Sequence, residues 1–164
     1  MSVREEVIMK LEDPSRFHYK QDWLEVQDDE LNMLFELFTF GTTRDVPSAL
    51  TLSPLMLKKL QLLTIVSLAQ LERELTYSKI METCLITSID TLERYMIELR
   101  NFFTVKLDPV RHVARITHLI DGRDVYCYEK PLLLGIKPLH TKSELVTKLT
   151  QWQHKLNKQI KEPA

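Results

Sequence analysis

His18, His112, His118, His140 and His154 are the five histidines of the chain, and no two stand at i, i+2 or i, i+4. Those spacings put two imidazoles on one strand or helix face, where a zinc ion can share them. His112 and His118 fall in a stretch of strand character, and surface strand positions account for both. Cys84 and Cys127 are the two thiols, without a C-x-x-C pair. Cys84 lies in an apolar helical setting, which fits an inert buried thiol better than a nucleophile. Carboxylates come as neighbours, Glu5-Glu6 and Asp28-Asp29. Adjacent positions splay apart on a helix, so neither pair converges on a substrate. No G-x-S-x-G or P-loop string occurs, and 3 glycines leave no Gly-rich phosphate cradle. The residues read as a protein that is not an enzyme, with no cofactor and no metal.

The charge is small overall and uneven along the chain. Lys and Arg number 22 against 23 Asp and Glu, a net of −1. Residues 1–50 carry 5 basic and 11 acidic groups, whereas residues 137–164 carry 6 basic and 2 acidic. The two ends fit either mutual attraction or two different partners. Glu5 and Glu6 interrupt any apolar run at the N-terminus, and no uncharged stretch is long enough to span a bilayer. A cytoplasmic and nuclear protein with free thiols is expected.

Helices dominate the pattern. A short one precedes Pro14, followed by an irregular link in which Phe17, Tyr19 and Trp23 read as anchors. From Asp28, the residues Leu31, Leu34, Phe35 and Phe38 form one apolar helical face, with Gly41 placed to supply a left-handed cap. Ser53-Pro54 opens the next helix, with proline at its first position. Residues 60–71 carry no charge, so this helix must be surrounded on most sides, at the centre of the core. Two more helices follow, one over about 77–84 and one from Thr87 or Ser88 to about Phe103. Ile89, Leu92, Met96, Leu99 and Phe103 share a face of the second. Strands over 104–107 and 113–120 flank Asp108-Pro109-Val110-Arg111. Three helices and a hairpin are the order of a winged helix.

Such a unit raises a nucleic-acid hypothesis, because its second motif helix can enter the major groove. Here that helix carries Asp90, Glu93, Arg94, Glu98 and Arg100, a net of −1, which gives phosphate little attraction. The hairpin is more basic, with Lys106, Arg111 and Arg115 partly offset by Asp108. A final helix begins after a T-x-x-E capping box at Thr141 and Glu144. Its apolar residues Leu145, Leu149, Trp152, Leu156 and Ile160 recur at steps of 4, 3, 4 and 4, opposite Lys148, Lys155 and Lys158. This narrow seam fits either the chain's own core or helices of other proteins. The fold class is mainly α. A 1–27 extension leads to a 28–136 helical segment with winged helix, then a 137–164 C-terminal helix.

Several strings resemble a known family. Lys59-Leu60 with Leu63-Thr64-Ile65-Val66-Ser67-Leu68-Ala69 looks like the signature of subunit seven of the COP-nine signalosome. Leu37-Phe38-Thr39-Phe40-Gly41-Thr42 resembles the preceding helix end in that family. Tyr77-Ser78, Leu92-Glu93, Lys106-Leu107-Asp108, Gly122-Arg123-Asp124 and Trp152 follow in the same order. Thr76 stands where the family usually has proline, and Pro109 where a polar residue is usual. The short chain is most similar to the small ninth subunit of yeast signalosomes, a shortened relative of subunit seven.

The resemblance implies a PCI-domain protein, a helical array capped by a winged helix. Relatives occur in the proteasome lid, the signalosome and a translation initiation factor complex. Their winged helices associate side by side, and their C-terminal helices gather into a bundle. The signalosome removes the modifier Nedd-eight from cullins through a separate zinc metalloprotease subunit. The implied role is therefore a non-catalytic scaffold supporting cullin deneddylation. Partners would be other signalosome subunits, met through Leu145, Leu149, Trp152, Leu156 and Ile160 and through Val113 and Arg115 of the hairpin. No membrane is implied. The alternatives are a winged-helix nucleic-acid binder or a PCI subunit of the proteasome lid or of an RNA-export complex.

Overall fold

The computed structural model describes residues 2–136 and 142–161, with the backbone alone for Lys142, Ile160 and Lys161. The capping box at Thr141 lies outside these residues. Helix α1 (Val3–Glu12) is capped by the Ser2 hydroxyl and ends before Pro14. The link that follows is not wholly irregular, because α2 (Lys20–Glu25) forms within it. In α3 (Asp29–Phe40), the Asp28 carboxylate accepts from the amides of Glu30 and Leu31, satisfying donors that the first turn leaves open. Gly41 ends α3 with φ −91° and ψ 174°, so it is an extended residue and not a left-handed cap. Glycine is needed there for closeness: a Cβ would meet the Leu37 carbonyl oxygen at 2.8 Å and Leu37 Cδ1 at 2.9 Å.

Helix α4 (Pro54–Leu71) explains its own all-round apolarity, because it is the wall between two cores. One side presents Met56, Leu60 and Leu63 to Val7, Leu11, Tyr19, Trp23 and the apolar face of α3. The other presents Leu62, Ile65, Val66 and Ala69 to a second cluster that includes Ile80, Leu92 and Phe103. A helix with neighbours on both sides gains nothing from a polar face.

The second core belongs to a winged-helix-like unit. After α4 come β1 (Glu74–Thr76), α5 (Tyr77–Cys84), α6 (Ile89–Glu98), β2 (Phe103–Asp108) and β3 (Val113–Leu119). The three strands form an antiparallel sheet in the order β1-β3-β2. Thr76, where the signalosome resemblance leads one to expect proline, caps α5 through its side chain. Helix α6 stops at Glu98, short of the expected Phe103. Phe102 and Phe103 are both buried, and adjacent residues of a helix point about 100° apart, so the backbone turns to bring both rings inward.

Residues after the sheet strap the first core. The Arg123 guanidinium is buried and donates to the carbonyls of Gly41 and Phe38 and to Ser67 Oγ. It thereby caps the end of α3, whose last carbonyls lack helical partners. Burial lowers its pKa to about 10, which leaves it charged at neutral pH. Further along, both oxygens of the buried Glu36 carboxylate accept from the Leu133 and Leu134 amides, at 2.8 and 2.7 Å. Arg123→Met is expected to lower the unfolding free energy by about 1–3 kcal/mol, the usual cost of buried acceptors left unpaired. Urea unfolding measures it, and an unchanged midpoint would show that the cap contributes nothing.

Candidate interaction surfaces

The side chains best suited to chemistry are dispersed. His18 bridges Asp121 and Asp124 at 3.1 and 3.2 Å, tying the N-terminal link to the loop after β3. His112 stacks on Tyr77 with ring centroids 5.3 Å apart. His118 and His154 are exposed, and His140 lies outside the described residues. Cys84 is buried, and burial pushes its thiol up to about 12, while Cys127 is exposed. Among the described residues no group of His, Cys, Asp and Glu is placed to hold a metal ion. No described helix is long and apolar enough to cross a membrane.

One groove of about 640 Å³ opens between the N-terminal link, α4 and the end of α6. Its carboxylates already have partners: Glu98 with Lys58 at 3.2 Å and Asp121 with His18, both within the groove lining, and Glu12 with Ser53. At its base Lys59 is buried. Its amine donates to the carbonyls of Asp13 and Arg16 and to the Tyr19 hydroxyl, and lies over the Phe17 ring. Burial lowers its pKa to about 8. Lys59 holds the N-terminal link in place, a task that its sequence context alone does not reveal.

The expected partner-binding residues fall into two sets. Helix α7 (Lys142–Lys161) carries the first. Leu145 is half-buried, whereas Leu149 and Trp152 are each 62% exposed, and Leu156 is exposed too. The Ile160 side chain lies outside the described residues. Val146 is also exposed, widening the seam by a residue that the 4-3-4-4 spacing omits. The second set lies on β3, where Val113 is half-buried and Arg115 exposed. They alternate with the buried Ala114, so both belong to the outer face of the sheet.

Helix α6 carries mixed charge on its exposed side. Its outer side exposes Asp90, Arg94 and Glu98 around Ile97, which is itself 61% exposed. An apolar residue ringed by mixed charges suits a protein surface better than a phosphate backbone. Sequence periodicity missed Ile97, because the seam residues of α6 conceal the one that points outward.

No protein-family model matches the chain. Against curated proteins, it is 41% identical over 162 residues to the COP9 signalosome complex subunit 9 of Saccharomyces cerevisiae. That alignment covers 99% of this chain and the whole of the relative. The chain belongs to the COP9 signalosome subunit 9 family. A second member, from Eremothecium gossypii, is 31% identical over 97% of this chain and 99% of its own length. A third, from Kluyveromyces lactis, is 29% identical over 94% and 98%. Alignments over 94–99% of this chain take in both cores, the sheet and most of α7.

Proposed function

We propose that this chain is a non-catalytic scaffold subunit of a COP9 signalosome. In this reading it joins other subunits through the α7 seam and the winged-helix hairpin, and thereby supports removal of Nedd-eight from cullins. It is a PCI-type protein of the cytoplasm and nucleus, related to subunit seven. The observation that carries the reading is the Leu149–Trp152–Leu156 stripe standing in water in a chain whose full-length relatives are named as signalosome subunits. Apolar stripes of this kind on a terminal helix serve groove or bundle docking.

The isolated chain is expected to release no Nedd-eight from a neddylated cullin, with or without added zinc. Adding it to a signalosome preparation that lacks it is expected to restore subunit association and, with it, turnover. Robust release by the metal-analysed isolated chain would overturn the scaffold reading.

A further inference from the structure

The strand register sets two cations against each other. Lys106 on β2 lies directly opposite Arg115 on β3, both exposed on the outer face of the sheet. Like charges directly opposite destabilise a strand pair. A lysine on an edge strand has a structural use, since it discourages pairing with other chains. That use does not extend to Arg115, which sits on the central strand. Arg111 adds a third cation at the hairpin tip, beside Val110, which is 90% exposed. The tip is rigidly built: Asp108 Oδ1 accepts from the amides of Val110 and Arg111 at 3.1 and 3.0 Å.

Several other cations find carboxylate partners, whereas Arg44, Arg100, Lys155 and Lys158 do not among the described residues. Arg4, Lys10, Arg16, Lys20, Lys58 and Lys79 all pair with carboxylates. Lys106, Arg111 and Arg115 pair with none among the described residues. Glu74 faces Arg115 across β1 without forming an ion pair, and the Asp108 carboxylate is engaged by the turn. Lys106, Arg111 and Arg115 thus line one hairpin without an ion pair, with Glu74 the carboxylate in register with Arg115.

We infer that the outer face of the sheet, with Lys106, Arg111 and Arg115, docks a carboxylate-rich segment of a partner protein. A protein partner fits better than nucleic acid, because α6 adds no positive surface to the hairpin: its Asp90, Glu93 and Glu98 outnumber Arg94 and, just past its end, Arg100. The inference deepens the assembly reading: it names the chemistry that the hairpin surface recognises.

The test uses the full chain and a fluorescein-labelled deca-glutamate peptide, followed by anisotropy at low salt. Binding that weakens as salt is added is expected. Lys106→Thr/Arg115→Thr should weaken it at least tenfold, whereas Lys155→Thr/Lys158→Thr on α7 should change it less than twofold. Thermal unfolding of Lys106→Thr/Arg115→Thr should occur no lower than that of the parent, since the opposed like charges are removed, so fold loss cannot mimic binding loss. Absence of peptide binding, equal loss from the α7 pair, or tighter binding of a labelled DNA duplex lost with the same sheet variants would each overturn the inference. No signalosome subunit enters the assay, so its failure is distinguishable from failure of the scaffold reading.

Discussion

Leu63→Ala and Ile65→Ala are each expected to lower the unfolding free energy by about 2–5 kcal/mol, through lost transfer energy and the cavity left behind. Both side chains are fully buried, but in different cores: Leu63 with Trp23 and Phe38, Ile65 with Ile80 and Phe103. A domain of this size holds about 5–15 kcal/mol in all, so either change removes a large share of it. Because α4 runs between the cores, denaturant unfolding of both variants should remain a single transition. Partner binding should fall only as far as the folded fraction falls. Unchanged midpoints would mean that the two faces of α4 do not carry the fold. Two separated transitions would mean that the cores unfold independently.

The second large effect is of the opposite kind. Replacing Leu149, Trp152 and Leu156 together by Gln should leave the unfolding midpoint close to the parent's, because exposed substitutions typically change stability by no more than about 0.5 kcal/mol. Assembly should instead fail. Buried aromatic anchors at interfaces typically contribute about 2 kcal/mol or more each when truncated, and Trp152 is the one such ring on the seam. Circular dichroism and thermal unfolding of the triple variant, set beside its co-purification with signalosome subunits, separate the two effects. A collapsed midpoint would assign the seam to this chain's own core.

Much of this is visible in the sequence where a periodic pattern is long enough to carry it. The Leu31, Leu34, Phe35, Phe38 face and the first part of the uncharged run, Leu60 to Val66, are buried helical surface, whereas Leu71 at its end is exposed. The uncharged run also told that α4 is enclosed, though not that it divides two cores. Elements of three to six residues, β1 and α2, are too short to show a period, and neither was expected. Arg123 caps α3 from 82 positions further along the chain, reaching Gly41, and such a contact leaves no local signature. Gly41 signals a helix end correctly but for a different cause, close approach to Leu37 in place of a left-handed turn.

The candidate surfaces divide in the same way. The α7 seam follows from helical spacing alone. That it stands in water required the structure, since the same spacing fits a core helix. The opposition of Lys106 and Arg115 could not be read in advance, because it depends on a register set by the hairpin turn and by the irregularity between Thr104 and Val105. Hydrophobic alternation places side chains on faces of a strand, but it does not say which residue faces which across the ladder.

In the proposed function, this chain joins other subunits through the exposed seam of α7. That role is tested most directly by tagging the native protein, purifying it from its own cells and identifying what elutes with it, beside the Leu149/Trp152/Leu156→Gln variant. Signalosome subunits are expected in stoichiometric amounts with the parent, and at least tenfold less with the folded variant. Recovery of the parent without signalosome subunits, or undiminished recovery of them with the variant, would contradict that role.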